Sequence, residues 1–247
     1  MSTKYIYIFA LIMTVVVALL LAGSKVVLDP IAKKNEDIFN KRQILEAIAV
    51  PLEKAGKPLA DLTNEEVLGI FDKQVEQAVV MADGELVEGK KAIEVDMAKE
   101  RKEPENLREY PVYEVALDGK SYYIFSVRGT GLWDAIWGNI ALQEDMNTVA
   151  GVSFDHAGET PGLGAEIKDN AKWKSQFVGK KIYKGDKYVS INVRKGGAID
   201  KAHEVDGLSG ATVTADGVTD MLYSGLKAYE PYMESATKGA TSMNLQK

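Results

Sequence analysis

The distribution of apolar residues along the chain predicts a membrane anchor followed by a folded domain. From Tyr5 to Ser24 there is no charged residue, and a helix of that length spans about 30 Å, the thickness of a bilayer core. The rest of the chain mixes two patterns: apolar residues at every second position, which predict strands, and apolar residues three or four positions apart, which predict helices. We therefore expect one transmembrane anchor over residues 1–26 and a soluble domain after it.

A cleaved signal peptide is the competing interpretation of the first segment. Lys4 precedes the apolar run, and the small residues Ala22, Gly23 and Ser24 end it, as in signal peptides. The run is longer than the roughly 7–15 apolar residues usual in such peptides, which favours an anchor. No cysteine follows the small residues, so a lipoprotein anchor is excluded. Basic residues flank the segment on both sides, so the positive-inside rule does not fix its orientation.

Residues 27–110 are expected to form a stalk and the first part of the soluble domain. Pro30 should interrupt the helix that leaves the membrane. Thr63 and Glu66 have the spacing of a capping box, which should open a short helix through Phe71. Between Pro30 and Thr63, the apolar residues predict an amphipathic helix that leads out of the membrane; they are Ile38, Ile44, Leu45, Ile48 and Ala49.

The middle of the chain is rich in strand patterns. Val112 to Leu117 and Tyr122 to Val127 flank the segment 118–121, Asp-Gly-Lys-Ser, which is a strong hairpin signal. Strands outnumber crossover helices, so we expect an α+β fold: a mixed, largely antiparallel sheet with flanking helices. The charged stretch 99–109 should be a solvated loop. Further strands are expected at 75–80, 139–142, 148–154, 180–183 and 188–193, and short helices after Pro161 and Asn170.

Near the C-terminus, the segment from Asp206 to Thr212 places a hydroxyl in a small-residue turn just before a helix pattern. Thr214 and Asp216 can cap that helix, and Pro231 should lie near its end. Its apolar positions are Val218, Met221, Leu222, Gly225, Leu226 and Tyr229. A helix N-terminus preceded by glycines favours an anion, so the turn is a candidate phosphate site. An ordinary glycine-containing start of a helix is the alternative.

Composition excludes several classes of site. The net charge of −6 argues against nucleic acid as a partner. The absence of cysteine excludes disulfides, zinc thiolates and iron–sulfur ligation, so redox chemistry here requires an organic cofactor. His156 and His203 are the two histidines, a poor set for a metal site, and we expect none.

The segment 206–212, Asp-Gly-Leu-Ser-Gly-Ala-Thr, is similar to the flavinylation motif of the FMN-binding domain family, in which the last threonine carries FMN through a phosphoester bond. A second segment, 156–164, resembles the loop that lines the flavin in that family, and residues 131–133 add to the likeness. The resemblance implies one covalent FMN per chain, on Thr212. The further cofactor-binding residues that it implies are Ser209, Gly210, Ala211, Glu159, Thr160, Leu163, Gly164 and Trp133. Asp206 is expected to hold the turn by an Asx-type bond.

The resemblance also implies a role and a location. Within the family, the motifs and length are most similar to the C subunits of Na⁺-translocating NADH:quinone oxidoreductases; the related but usually shorter G subunits of Rnf complexes are the alternative. This implies a one-electron carrier in a six-subunit complex of the bacterial inner membrane, with FMN attached by a flavin transferase and the flavin domain, residues 111–235, in the periplasm. Residues 236–247 would be a C-terminal tail. No Gly-x-Gly-x-x-Gly follows a strand, so NADH is expected to bind elsewhere.

Two interpretations from other classes remain open. One is a membrane-anchored interaction domain whose turn binds no cofactor. The other is a hydrolase with Ser209 as nucleophile, although its surroundings lack the Gly-x-Ser-x-Gly spacing and neither histidine is positioned by the sequence as its base.

Overall fold

A computed structural model describes residues 2–244, with side chains through Thr237. The contacts divide the chain into two compact units, Met1–Lys41 and Arg42–Lys247.

The first unit consists of the long helix α1, Thr3–Glu46, which continues into the second unit. Among the described residues, α1 is the one helix long and apolar enough to cross a membrane. Pro30 lies inside α1, so the expected interruption is wrong. An interior proline removes one backbone hydrogen bond and crowds the carbonyl four residues before it. Helix α1 nevertheless continues through Pro30, and the Asp29–Lys33 ion pair, 2.8 Å apart, spans the turn that contains it.

The second unit begins with short helices that precede its sheet. Helix α2 is Ala49–Lys54 and helix α3 is Asn64–Gln74. The capping box is confirmed: Thr63 Oγ1 accepts from Glu66 N at 3.3 Å, and Thr63 N donates to Glu66 Oε2 at 2.8 Å. Strand β1, Val75–Met81, follows α3 directly and confirms the predicted strand.

A five-stranded antiparallel sheet forms the centre of this unit. Its strands are adjacent in chain order: β1; β2, Glu109–Leu117; β3, Lys120–Thr130; β4, Ala135–Gln143; and β5, Val149–His156. The short helix α4, Met97–Glu100, lies between β1 and β2, so the charged stretch 99–109, expected to be a loop, begins in a helix and ends in a strand. The hairpin between β2 and β3 is confirmed, because Asp118 and Gly119 have φ of 50° and 74°, as a two-residue type I′ turn requires.

Helices cover both faces of this sheet. Successive residues of a strand point to opposite faces; thus Ile124 belongs to the apolar cluster with α2 and α3, whereas Phe125 belongs to the cluster on the other face. Both are fully buried. The predicted α+β class is therefore confirmed.

The C-terminal part contains helices α5, Glu166–Asp169, and α6, Ala171–Ser175, then four short strands. Two of these form the hairpin β6, Tyr183–Lys184, with β7, Lys187–Tyr188. The other two, β8, Asn192–Arg194, and β9, Glu204–Asp206, pair in parallel. The strands expected at 180–183 and 188–193 are thus shorter than predicted, and β9 was not predicted.

Two long helices end the described chain: α7, Thr212–Lys227, and α8, Glu230–Asn244. Pro231 lies in the first turn of α8, where a missing N–H costs nothing. Pro231 also lies close to the end of α7 at Lys227, as expected. Helical structure resumes in α8 and continues into the segment assigned to the C-terminal tail.

Helix α7 packs on β3 through glycines. A Cβ at Gly217 would overlap the carbonyl oxygen of Thr130, and one at Gly225 would lie 2.7 Å from Val127 Cγ1. This contact sets the N-terminus of α7 beside the loop that follows β3. Thr212 is thereby held at the end of the sheet where β5 also ends.

Candidate functional site

Three segments that are distant in sequence meet at this end of the sheet: residues 131–134 after β3, residues 156–164 after β5, and residues 206–214 at the start of α7. Their junction is the carboxylate of Glu159. It accepts hydrogen bonds from Trp133 N at 3.0 Å and from Thr214 Oγ1 at 2.6 Å. The segments that carry the family resemblance are thus in contact.

The turn before α7 is tight because Gly210 has φ of 72°, in the left-handed region. Ala211 N donates to Leu208 O at 3.3 Å, and Gly207 N donates to Arg194 O at 2.8 Å. Ala211 is the N-cap of α7 and makes no side-chain capping bond, and the half-buried Thr212 is the first helical residue. The first N–H groups of α7 have no carbonyl partner within the helix, so they can bind an anion.

The predicted capping residues do not cap α7. Thr214 and Asp216 both lie inside the helix, which begins at Thr212. Thr214 is buried and donates its hydroxyl to Glu159, whereas Asp216 is exposed. The helix starts earlier than predicted because the anchored turn, rather than a side-chain cap, fixes its first residue.

The expected Asx-type bond of Asp206 is also absent. Its Oδ1 accepts from Ala198 N at 2.8 Å, its carbonyl oxygen accepts from Trp173 Nε1 at 2.7 Å, and its N–H donates to Gln176 Oε1 at 3.0 Å. Asp206 therefore fixes the loop after β8 and the start of the turn, and does not fold the turn onto itself.

A cavity of about 450 Å³ opens next to Thr212. The loop after β8, which was not predicted as part of the site, supplies one wall and the cationic residue Lys195; the Gly196-Gly197 pair was the signal that could have indicated it. The cavity combines this positive charge with two carboxylates, those of Asp206 and Asp216, a helix N-terminus and apolar side chains. Its lining residues are Val193, Lys195, Gly196, Gly197, Asp206, Gly207, Leu208, Ser209, Gly210, Thr212, Ala215 and Asp216.

The loop after β5 is a Pro-Gly turn held at both ends. Thr160 O accepts from Leu163 N and from Ala165 N, each at 3.1 Å, and Gly162 has φ of 74°, as the third residue of a type II turn requires. Leu163 is exposed, and Thr160 lies beside the buried Glu159. A Cβ on Gly210 would lie 2.6 Å from Leu163 Cδ2, so this loop touches the turn before α7.

The three tryptophans occupy different environments. Trp173 is buried against Phe154 and Phe177. Trp137 is half-buried, with the guanidinium carbon of Arg128 5.3 Å from its ring centre. Trp133 is 68% exposed, although its backbone is fixed by Glu159. Of the three indoles, only that of Trp133 is displayed at the surface of this site.

The histidines do not form a catalytic or metal-binding set with these residues. His156 Nδ1 accepts from Glu159 N at 3.1 Å, and His203 Nδ1 lies 2.6 Å from Lys181 O. Neither contact involves Ser209, so a serine hydrolase gains no support. No group of three or more histidine or carboxylate side chains suited to a metal occurs within the described part of the chain.

Comparison with known proteins agrees with this geometry. The model of the FMN-binding domain family matches residues 131–227, which include the whole of all three segments. The C subunit of the Na(+)-translocating NADH-quinone reductase of Pseudomonas aeruginosa is 32% identical over 262 residues, covering 96% of this chain and 97% of the relative. The corresponding C subunit of Haemophilus ducreyi is 32% identical over 250 residues, covering 93% of each chain.

Two solved structures share the fold. The crystal structure of the C subunit of this reductase from Parabacteroides distasonis superposes with a TM-score of 0.73 at 35% identity, covering 83% of this chain and 96% of that one. The Shewanella oneidensis NqrC structure gives a TM-score of 0.67 at 27% identity, covering 81% and 99%. The chain therefore belongs to the family of C subunits of the Na⁺-translocating NADH-quinone reductase and contains its FMN-binding domain.

Proposed function

We propose that Thr212 carries one FMN per chain through a phosphoester bond, and that the flavin passes electrons one at a time within a Na⁺-translocating NADH-quinone reductase. The observation that carries the proposal is the position of Thr212. This hydroxyl-bearing residue lines the cavity as the first residue of α7, within the segment that resembles the flavinylation motif.

The residues around Thr212 fit a phosphate. The uncapped start of α7 offers N–H groups and the positive end of the helix dipole. Lys195 lines the same cavity and adds a positive charge. A side chain at Gly210 would collide with Leu163, so glycine at this position leaves the backbone N–H groups of the turn accessible to a ligand. Ser209, Gly210 and Ala211 are proposed to hold the phosphate through their backbone.

The surrounding side chains suit the flavin ring. Leu163 and Trp133 are exposed on the loops that adjoin the turn, Thr160 belongs to the same loop as Leu163, and Gly164 is buried next to it. We propose that Trp133 and Leu163 contact the isoalloxazine, since exposed apolar side chains gain by being covered. When bound, FMN supplies reversible one-electron transfer.

Attachment of FMN needs a second protein. A threonine hydroxyl is a poor nucleophile, so it requires an activated phosphate and a base. We propose that a flavin transferase uses FAD: Thr212 Oγ1 bonds to the phosphorus of the FMN half, the phosphoanhydride bond breaks, AMP leaves with the bonding electrons, and the hydroxyl proton passes to a base of the transferase. The ester then retains the flavin where free FMN is scarce.

The proposed setting is the bacterial inner membrane. Helix α1 would span it once, with the flavin domain in the periplasm and five other subunits completing a six-subunit complex; Na⁺ export belongs to that complex. A G subunit of an Rnf complex is the alternative within the same class. The match to the P. aeruginosa C subunit covers 96% of this chain and 97% of that protein, which favours a C subunit of the reductase over an Rnf G subunit.

The test is fluorescence of the full-length chain on a denaturing gel under ultraviolet light. Protein co-expressed with a flavin transferase should give a fluorescent band, Thr212→Ala should be dark, and Ser209→Ala should remain fluorescent. Ser209 is a suitable control because it is an exposed hydroxyl in the same turn. A dark wild-type band would favour a membrane-anchored interaction domain without cofactor. A fluorescent Thr212→Ala band would move the attachment to another residue.

A further inference from the structure

We infer that Glu159 is a positioning residue: its carboxylate joins the three segments of the FMN site through Thr214 and Trp133, and does not itself contact the flavin. The inference rests on the proposed function, because the geometry that Glu159 fixes is that of the FMN attachment site. It replaces the expectation that Glu159 is a polar partner of the isoalloxazine.

The two carboxylate oxygens of Glu159 serve two different segments. Oε1 accepts from Trp133 N at 3.0 Å, in the loop after β3. Oε2 accepts from Thr214 Oγ1 at 2.6 Å, in the first turn of α7. Glu159 itself belongs to the loop after β5, where its N–H donates to His156 Nδ1 at 3.1 Å. One side chain therefore connects all three segments by hydrogen bonds, which are strong because the acceptor is charged.

The space around the carboxylate is closed by two glycines from the motif segments. A Cβ at Gly131 would overlap Oε1, and a Cβ at Gly164 would overlap Oε2 and lie 2.7 Å from Thr214 Oγ1. Any larger residue at either position would displace the carboxylate or open the junction. The glycines in Gly131-Leu132-Trp133 and in Leu163-Gly164 thus have the same structural explanation, which is contact with Glu159.

Burial separates a positioning role from a flavin contact. Glu159 is 4% exposed, whereas Leu163 of the same loop is 42% exposed. A group that touches a ligand must be accessible to it, whereas both oxygens of the buried Glu159 carboxylate already accept hydrogen bonds from protein groups. The side chain therefore acts on the site through its partners.

Each partner places a part of the proposed site. Thr214 follows Thr212 by two residues in the same helical turn, so its bond to Glu159 fixes the direction in which α7 begins. Trp133 N belongs to the residue whose indole is 68% exposed, so the second bond fixes the backbone from which this ring projects. Without these bonds, the attachment turn and the indole would move independently.

Hydrogen exchange of the unflavinylated, detergent-solubilised full-length chain tests the inference without any cofactor. Glu159→Gln cannot accept both bonds as the carboxylate does, and Thr214→Val removes one donor while keeping the side-chain shape. Within 131–134 and 212–215, the amides of Gly131, Trp133 and Ala215 donate hydrogen bonds. Each variant should increase their exchange by about tenfold, the effect of losing one such bond. The double variant should add little to either, because both act on one contact.

Asp155→Asn is the matched control. Asp155 is also 4% exposed, and its carboxylate contacts Gln43 Nε2 at 2.7 Å, His156 N at 2.8 Å and Lys168 Nζ at 2.9 Å. It therefore touches the first residue of the loop after β5 but neither Trp133 nor Thr214, the two partners of the Glu159 carboxylate. The variant should lower the melting temperature and leave exchange at 131–134 and 212–215 unchanged. Equal exchange in wild type and Glu159→Gln, or the same local increase in Asp155→Asn, would overturn the inference.

The flavinylated proteins provide a second readout, which a general loss of stability would not move. Glu159→Gln and Thr214→Val that carry FMN should show lower flavin fluorescence anisotropy and weaker visible circular dichroism than wild type, whereas Asp155→Asn should match wild type. Wild-type protein without covalent FMN would refute the proposed function. The exchange data would still test whether Glu159 connects the three segments, because they are measured on protein without FMN. Unchanged anisotropy in both variants would refute positioning while leaving Thr212 as the attachment residue.

Discussion

Met221 of α7 lies directly against Gly129 of β3: a Cβ added to Gly129 would be 2.6 Å from Met221 Cβ. Met221 is buried in the core between α7 and the sheet. Glycine at 129, together with Gly217 and Gly225 on the helix, allows the two backbones to approach closely. Since Thr212 begins the same helix, this contact sets the distance between the helix that carries the proposed FMN site and the sheet.

Gly129→Ala should force α7 away from β3. Overpacking of this kind costs about 1–3 kcal/mol, so the midpoint of urea unfolding should fall. Gly69→Ala is the control with the opposite expectation: Gly69 lies inside α3 with no atom within 4 Å of an added Cβ, and alanine should stabilise that helix by roughly 0.5–1 kcal/mol. Equal stabilities of the two variants would contradict the proposed packing.

Tyr229 links the two C-terminal helices to the sheet. It is fully buried, and its hydroxyl lies 2.8 Å from Ser126 O on β3 and 3.1 Å from Pro111 O on β2. Burial raises the pKa of Tyr229 well above 10.0, and the nearby Tyr113 and Tyr110 act in the same direction. Tyr229→Phe should lower the free energy of unfolding by about 1 kcal/mol at neutral pH, which is the net contribution of one neutral hydrogen bond.

The stability of the protein at alkaline pH should depend on Tyr229. The unfolded chain loses this proton near pH 10 and the folded chain retains it, so the folded state binds more protons and stability falls as pH rises above 10. The fall from one such group is up to about 1.4 kcal/mol per pH unit. Urea midpoints measured between about pH 8 and 11 should therefore fall less steeply for Tyr229→Phe than for wild type. Parallel curves would contradict the assignment of the raised pKa to this residue.

The capping box of α3 predicts an acid-side effect. Hydrogen bonds from the Thr63 backbone N–H and hydroxyl lower the pKa of Glu66 below 4.5, so their stabilisation is present above that pH and is lost as pH falls. In Thr63→Ala the hydroxyl bond is removed, and the pKa of Glu66 should rise toward its ordinary value. NMR titration of the Glu66 carboxyl carbon measures this, and an unchanged midpoint would show that the hydroxyl does not contribute.

Trp133 should affect the flavin more than it affects the fold. Its side chain is 68% exposed, so Trp133→Ala should leave the melting temperature within a few degrees of wild type. If the indole lies against FMN as proposed, its removal should increase the fluorescence yield of the attached flavin, because stacked aromatic groups quench it. Leu132→Ala, at 52% exposure in the same loop, is the control and should cause a smaller change. Equal yields in wild type and Trp133→Ala would exclude stacking.

Local signals explain which elements could be predicted from the sequence. Asp118 and Gly119 adopt the left-handed conformations that their residue types favour, and Thr63 and Glu66 form their capping box through contacts three residues apart. Such elements depend on neighbours in the chain and are visible in it. The elements that were missed depend on distant residues: β9 has three residues and pairs with β8 only in the folded protein.

The site shows the same division. Thr212 and its turn could be located from sequence, since the motif is contiguous. The role of Thr214 could not, because a threonine at a helix start ordinarily caps the helix, and here its hydroxyl instead reaches Glu159, 55 residues away in sequence. Pro30 was misjudged because the local penalty of an interior proline did not end a helix that is 44 residues long. Pro231 lies just beyond Lys227, the end of α7, as expected.

The central claim, a flavin esterified to Thr212, is tested most directly by the mass of the full-length chain purified from its native host, followed by peptide mapping. We predict an increase equal to one FMN less one water, located on the peptide that contains Thr212 and absent from Thr212→Ala. A chain with the mass of its amino acids alone, or FMN on a peptide without Thr212, would contradict the account.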